Sequence, residues 1–487
     1  VTTVATEQTT RLTPAGWVLL LIAGTGLIRL GLAAAVGLGI DETYMVAAGR
    51  HVHLGYFDHP PASWWLSWAA TQIFQTNAPA TVRLPFILLF ALSTWLLYRL
   101  TARLYGPTAG LWAAVTLNLS PVFSITTGGW VLPDGPLDCA LLGMVLCLTH
   151  ALEDTPKSRQ WWLATGLCAG AALFSKYLAA LTILGAFAAL LTQPTYRRWL
   201  RRPDPWLAAL IALAVFTPVI LWNATHGWAS FLFQGGRAGA THLHPFAPLE
   251  VLGGEALFVL PWIWLPLVAC LLKALRAGPS QRSDWLLANL ALPPIALFVL
   301  VSLWSPRILY HWAAPGYLML FPLLGRAIAE AVSPRRLHLT LLATAALLIA
   351  GVTILISELT WPWLPASLGA QALRDQAASW RPLAAALDSR GLGGLTLAGI
   401  RWHECGKLDY ALGTDHTVLC LTPDAREFTF ATNPANQIGY DILLIAPHTD
   451  LTTITRQLGG QFKSIEELPP LNGIPLFLGR EYKGEGK

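Results

Sequence analysis

Apolar residues fall in long blocks along this chain, and polar residues gather in the gaps between them. Blocks suited to membrane-spanning helices lie near 17–38, 84–100, 108–125, 136–152, 161–175, 177–192, 206–222, 251–272, 285–304, 312–331 and 338–358. That makes about eleven spans, judged against the ~20 residues a hydrocarbon core demands. The stretch 161–192 is too long for one helix, and Ser175-Lys176-Tyr177 interrupts it, so two short helices meeting at Lys176 are expected. After residue 365 the pattern changes. Turn residues multiply and short β-patterned runs appear at 395–399 (LTLAG), 417–421 (TVLCL) and 441–447 (DILLIAP), with helical runs at 403–412 and 450–458. The chain thus divides into 1–365, an all-α polytopic membrane domain, and 366–487, a small α/β domain.

Composition supports that division. Hydrophobic residues make up 54% of the 487 and charged ones 12%, where a soluble chain carries ~25% charged. Trp occurs 22 times, many near block ends, as in an interfacial aromatic belt. Residues 17–38 are too long for a signal-peptide core and read as a retained first span. The net charge of +5 brings no basic patch interleaved with aromatics, so nucleic acid is not an expected partner. Membrane lipids are.

The placement of charge orients the chain. One set of loops collects thirteen basic residues, Arg99, Arg103, Lys157, Arg159, Arg197, Arg198, Arg201, Arg202, Lys273, Arg276, Arg282, Arg335 and Arg336, and the opposite set holds Arg50, Lys176, Arg237 and Arg307. By the positive-inside rule the first set is cytoplasmic. A multi-pass protein of the inner membrane follows, with residues 366–487 and most polar loop residues on the extracytoplasmic, periplasmic side. There Cys405 and Cys420 have the option of pairing, which their spacing does not decide.

Those polar residues suggest chemistry. Asp41-Glu42 follows the first block directly. Two carboxylates at a helix start are stabilised by its dipole. Held beside a membrane, a carboxylate whose pKa is raised also serves as a general base. Asp58-His59-Pro60-Pro61 comes next, with a stiff backbone that fixes an acid and an imidazole. A phosphate or a divalent cation there remains an alternative, though no metal-ligand spacing is evident, and no cofactor is expected. Asp134, between Pro133 and Pro136, is either a helix cap or a site residue. Lys176 either snorkels or meets an anion at headgroup depth. Arg307, flanked by Tyr310 and His311, suits bidentate phosphate contact.

Taken together, Asp41-Glu42-x-Tyr44 with GYFDHPP, PDGPL (133–137), LFSKY (173–177), LWNATHGWASF (221–231) and HWAAPGYLMLFPLL (311–324) resemble bacterial members of the protein O-mannosyltransferase and lipid A aminoarabinose transferase superfamily. The resemblance covers roughly residues 15–330. It implies a GT-C fold and an inverting transfer from a polyprenyl-phosphate sugar donor to a lipid, glycan or protein acceptor outside the membrane. It places the catalytic acidic residue at Asp41, with Glu42 beside it. Lys176, Arg307 and His59 become candidates for the donor phosphate, and Tyr44, Asp58, Asp134 and His311 for positioning. Asp58-His59 stands where aminoarabinose transferases carry a Glu-Lys pair, which weakens a direct cationic contact at that point. The rival reading is a glycolipid transporter or flippase. It sits poorly with ionisable groups clustered at one membrane face and with the lack of inverted repeats.

Overall fold

The computed structural model describes residues 12–484 apart from 238, 240, 241, 306, 307, 332 and 472. Among the described residues, six helices are long and apolar enough to cross a membrane: Pro14–Ala35, Pro79–Tyr105, Asp204–Thr225, Pro261–Ser280, Arg282–Val301 and Arg335–Thr360. A seventh candidate is Ala179–Thr192 with Pro194–Arg201, bent by 97°. The remaining blocks are helical but shorter or broken. The block at 251–272 divides at Leu260, whose φ of +83° separates Ala247–Val259 from Pro261–Ala277. The block at 312–331 becomes Ala314–Leu318 and Phe321–Ala329. A proline stands in the first turn of each following helix, where its missing N–H costs no internal hydrogen bond. The chain is an integral, multi-pass membrane protein.

Side chains agree with a lipid setting. Leu27, Leu210, Leu342 and Ile349 are exposed along the long helices, as lipid-facing positions are. Between helices, small residues allow close approach. A Cβ on Gly185 would lie 2.1 Å from the carbonyl oxygen of Asn289, so Ala179–Thr192 meets Arg282–Val301 almost backbone to backbone. As the Ser-Lys-Tyr interruption predicts, Ser158–Ser175 ends at Lys176 and a new helix begins at Ala179.

The C-terminal segment forms one five-stranded sheet. Its strands are β1 (Thr396–Gly399), β2 (Val418–Cys420), β3 (Ile442–Ile445), β4 (Ser464–Leu471) and β5 (Ile474–Arg480), in the order β2-β1-β3-β5-β4. β1 is parallel to β2 and β3, while β5 runs antiparallel to β3 and β4. Helix Trp402–Leu412 makes the β1-to-β2 crossover. The first three strands match the β-patterned runs. The β4–β5 hairpin was not expected, because Pro469 and Pro470 disguise β4, and an edge strand tolerates them. Cys405 and Cys420 touch through their side chains as free thiols.

This sheet domain does not hang free. Short helix Ile40–Ala48 follows the first span, and its Tyr44, Met45 and Val46 share one buried core with Leu397, Cys405, Leu408 and Phe428. A Cβ on Gly406 would stand 2.8 Å from Tyr44 Cα, so only glycine permits this contact. The arrangement puts the domain at the end of the bundle that carries Asp41. Arg83 joins Arg50, Lys176 and Arg237 at this end, while the thirteen basic loop residues lie toward the other.

Candidate active site

The chain after the first span is fixed by one buried ion pair. Arg83, on the helix Pro79–Tyr105, donates from Nε to Glu42 Oε1 at 2.7 Å and from Nη2 to Glu42 Oε2 at 2.5 Å. It also donates to the carbonyls of Val36 (2.7 Å) and Gly37 (2.9 Å). These belong to the chain leaving the first helix, where backbone acceptors lack intrahelical partners. Glu42 accepts further hydrogen bonds from the N–H of Gly39 (2.9 Å) and of Val131 (3.1 Å). Its carboxylate is buried and saturated. Glu42 was expected beside Asp41 as the second carboxylate of the catalytic pair; in the structure it pins three segments together, and its oxygens are occupied by Arg83 and two backbone N–H groups.

Asp41, one residue earlier, is left exposed at its side chain. Surrounding protein nevertheless raises its pKa; Arg426 opposes the rise, and the neighbouring Glu42 adds to it. Arg237 and Asp134 act on the same carboxylate, so all four groups lie within electrostatic reach of it. Asp58 is buried nearby. The Tyr44 hydroxyl donates to Asp58 Oδ1 at 3.2 Å, and Arg426 Nη1 approaches Oδ2 at 3.4 Å. Burial lifts Asp58 to about 6 despite Arg426.

His59 and His311 complete the rim. Burial, with Lys176 and Arg237 nearby, pushes His59 well below the usual imidazole range, and burial brings His311 to about 4. Both are neutral at pH 7. His59 was expected to hold the donor phosphate. A neutral ring does that poorly and instead offers a hydrogen bond to a hydroxyl, with its buried Nδ1 unpartnered among the described residues.

Lys176 is buried rather than bathed at headgroup depth, as a snorkelling or solvated clamp would be. Its Nζ donates to both oxygens of Asp134, at 2.9 and 3.0 Å. That bond also decides the role of Asp134. Pro133 is the N-cap, and the Asp134 carboxylate makes no capping bond because Lys176 holds it. Arg307 lies outside the described residues.

Three contributors were missed in the sequence. Arg237 follows the helix Ala229–Gly236, with its Cζ 4.5 Å from the ring centroid of Phe233 and 5.4 Å from that of Trp312. It was read only as a topology marker. Arg426 and Glu427 come from the sheet domain, some 380 residues away in the chain from the helix they face. Glu427 accepts from the N–H of Phe57 at 2.7 Å and contacts His53 Nδ1 at 3.0 Å, and its own N–H donates to the Tyr44 hydroxyl at 3.2 Å. Among the described residues no three His, Cys, Asp or Glu side chains converge to hold a metal ion.

Comparison with known proteins gives this cavity a context. A family model described as dolichyl-phosphate-mannose-protein mannosyltransferase matches residues 58–222. The lipid A galacturonosyltransferase RgtD of Rhizobium johnstonii is 25% identical over 335 residues, 66% of this chain and 67% of that protein. Crystal structures of ArnT from Cupriavidus metallidurans superpose over 95% of this chain and 98% of theirs, with a TM-score of 0.66. Sequence identity is 16% for the apo state and 17% for the form bound to undecaprenyl phosphate. The chain has the GT-C fold of these ArnT structures. Within that fold, Asp41, Asp58, His59, Asp134, Lys176 and His311 belong to one cluster of interacting polar groups that Arg426 of the sheet domain joins.

Proposed function

We propose that the protein transfers a sugar, with inversion, from a polyprenyl-phosphate donor to a lipid or glycan acceptor such as lipid A. The cavity opens at the periplasmic face of the inner membrane. The observation that carries this reading is the placement of Asp41. It is an accessible carboxylate with a raised pKa, set among cations at one end of a bundle whose fold matches a transferase solved with undecaprenyl phosphate. The thirteen-residue basic side supports the orientation.

The chemistry follows from these groups. Asp41 takes the proton of the acceptor hydroxyl, whose oxygen attacks the anomeric carbon from the face opposite the leaving group. The bond from that carbon to the phosphate oxygen breaks, and the electron pair leaves with the lipid phosphate. Positive groups that neutralise this oxygen make a general acid unnecessary. Arg237, free of any ion pair among the described residues, is the principal cation. Lys176 adds its field while Asp134 holds it in place, and Arg307 remains a candidate third contact. His59, His311 and Tyr44 orient hydroxyls.

The test is reconstitution of the purified chain in liposomes with a radiolabelled polyprenyl-phosphate sugar and envelope glycolipids. Label is expected in an acceptor lipid, with inverted anomeric configuration. Movement of donor across the bilayer without transfer would overturn the reading.

A further inference from the structure

Arg426 is a residue beside Asp58 that base and phosphate chemistry do not use. It belongs to the sheet domain, and its φ of +51° lies in the left-handed region that a non-glycine residue rarely adopts. Such backbone persists where the surroundings enforce it, often at ligand sites. The guanidinium rests on Trp402, with Cζ 3.6 Å from the ring centroid, and has Phe233 at 5.6 Å and Tyr44 at 5.9 Å. Its side chain is 13% exposed. For so enclosed a group its polar contacts are poor: Asp58 Oδ2 at 3.4 Å, and Asp424 Oδ1 at 3.7 Å from Nε. Nε makes no hydrogen bond among the described residues.

A role in docking the domain is the plain alternative, and other contacts already fill it. Arg50 pairs with Asp409, Arg381 and Tyr410 bond to Asn77, and Glu427 holds the N–H of Phe57. Arg426 adds little to that set. What it offers is a planar fork of donors, held flat by an aromatic platform and largely unanswered. That shape fits a carboxylate. Location narrows the source. Arg237 and Arg426 share the Phe233 ring, at 4.5 and 5.6 Å, so a donor whose phosphate meets Arg237 and Lys176 brings its sugar beside Arg426, which also acts on Asp41.

We propose that Arg426, with Trp402 as its platform, binds the carboxylate of an acidic sugar on the lipid-linked donor. The sheet domain then selects a uronosyl over a neutral hexosyl group. This rests on the transfer reaction proposed above. A neutral sugar would leave the enclosed guanidinium with only the long contacts to Asp58 and Asp424 and its Nε without a hydrogen bond among the described residues, and that is costly.

The experiment uses the full chain in liposomes with two polyprenyl-phosphate donors, galacturonosyl and galactosyl, which differ only in carboxylate against hydroxymethyl. The wild type is expected to favour the uronosyl donor at least tenfold in kcat/KM. Arg426→Gln should lower the uronosyl value by about ten- to hundredfold, chiefly through KM, and collapse the preference. Arg426→Lys should recover part of the loss. Equal use of both donors by the wild type, or a preference that survives Arg426→Gln, overturns the assignment. So does an equal loss on both donors, which is the mark of docking, or a change confined to acceptor KM, which would move the anion to the acceptor. If the wild type transfers from neither donor, the reaction itself falls and this assignment with it.

Discussion

Two sides of the helix Ile40–Ala48 treat their charges in opposite ways. Toward the membrane helices, Glu42 and Arg83 answer one another completely, with backbone groups taking every remaining direction. Toward the sheet domain, and among the described residues, Asp41 has no such partner, Asp58 is held at 3.2 and 3.4 Å, and Arg426 leaves Nε without a hydrogen bond. The difference teaches which charges frame the site and which remain free to meet substrate. Adjacent carboxylates of the same local sequence have separate duties because one points into a saturated network.

The sharpest way to break this contrast is to exchange the fates of the two carboxylates. Asp41→Asn should keep fold and donor affinity while transfer falls ~10²–10⁴-fold, the usual contribution of a positioned base. Turnover and donor binding measured on the same purified variant check this, and near-normal turnover would remove Asp41 from the mechanism. On the framing side, Arg83→Leu strands a buried Glu42 and frees the carbonyls after the first span. A cost of ~3–5 kcal/mol is expected. It should be read as a large drop in thermal unfolding temperature in detergent, and an unchanged temperature would show that the network is not the frame.

Smaller effects sharpen the picture. Arg237→Ala should weaken use of limiting donor by about ten- to hundredfold, the worth of one charge-assisted contact, with folding unaffected. A steady-state series in donor concentration would detect it, and an unchanged KM would return the phosphate to Lys176 or Arg307. The smallest effect is one of pH. Asp58 lies near 3.8 ordinarily and is raised to about 6 by burial, so the folded chain holds that proton more tightly than the unfolded one. The stabilisation this gives is complete below about 3.8 and is lost as pH rises through about 6. Asp58→Asn should flatten that decline, as unfolding temperatures across the window would reveal. An identical slope in both proteins would deny Asp58 its raised pKa.

Much of the architecture was legible because burial in lipid imposes a one-dimensional rule. Apolar length, basic loops and the interruption at Lys176 are local properties, and each has its counterpart in the structure. The β4–β5 hairpin was less legible, because prolines obscure an edge strand. The site was legible in part. Asp41, Asp58, His59, Asp134, Lys176 and His311 belong to one cluster of interacting groups, but their partners were hidden: Lys176 is held by Asp134, 42 residues before it, and Glu42 by Arg83, 41 residues after it.

The sequence by itself determined that this chain crosses the membrane many times, that its polar loops gather at one face and that a small α/β unit follows. Hydrophobic periodicity and charge bias act segment by segment and need no knowledge of distant contacts. Only the tertiary structure decided which carboxylate is saturated and which stays exposed, and that Arg426 of the last domain acts on Asp41 of the first loop. Hydrogen-bond saturation and pKa depend on groups brought together in space, and no local pattern records a neighbour 385 residues away.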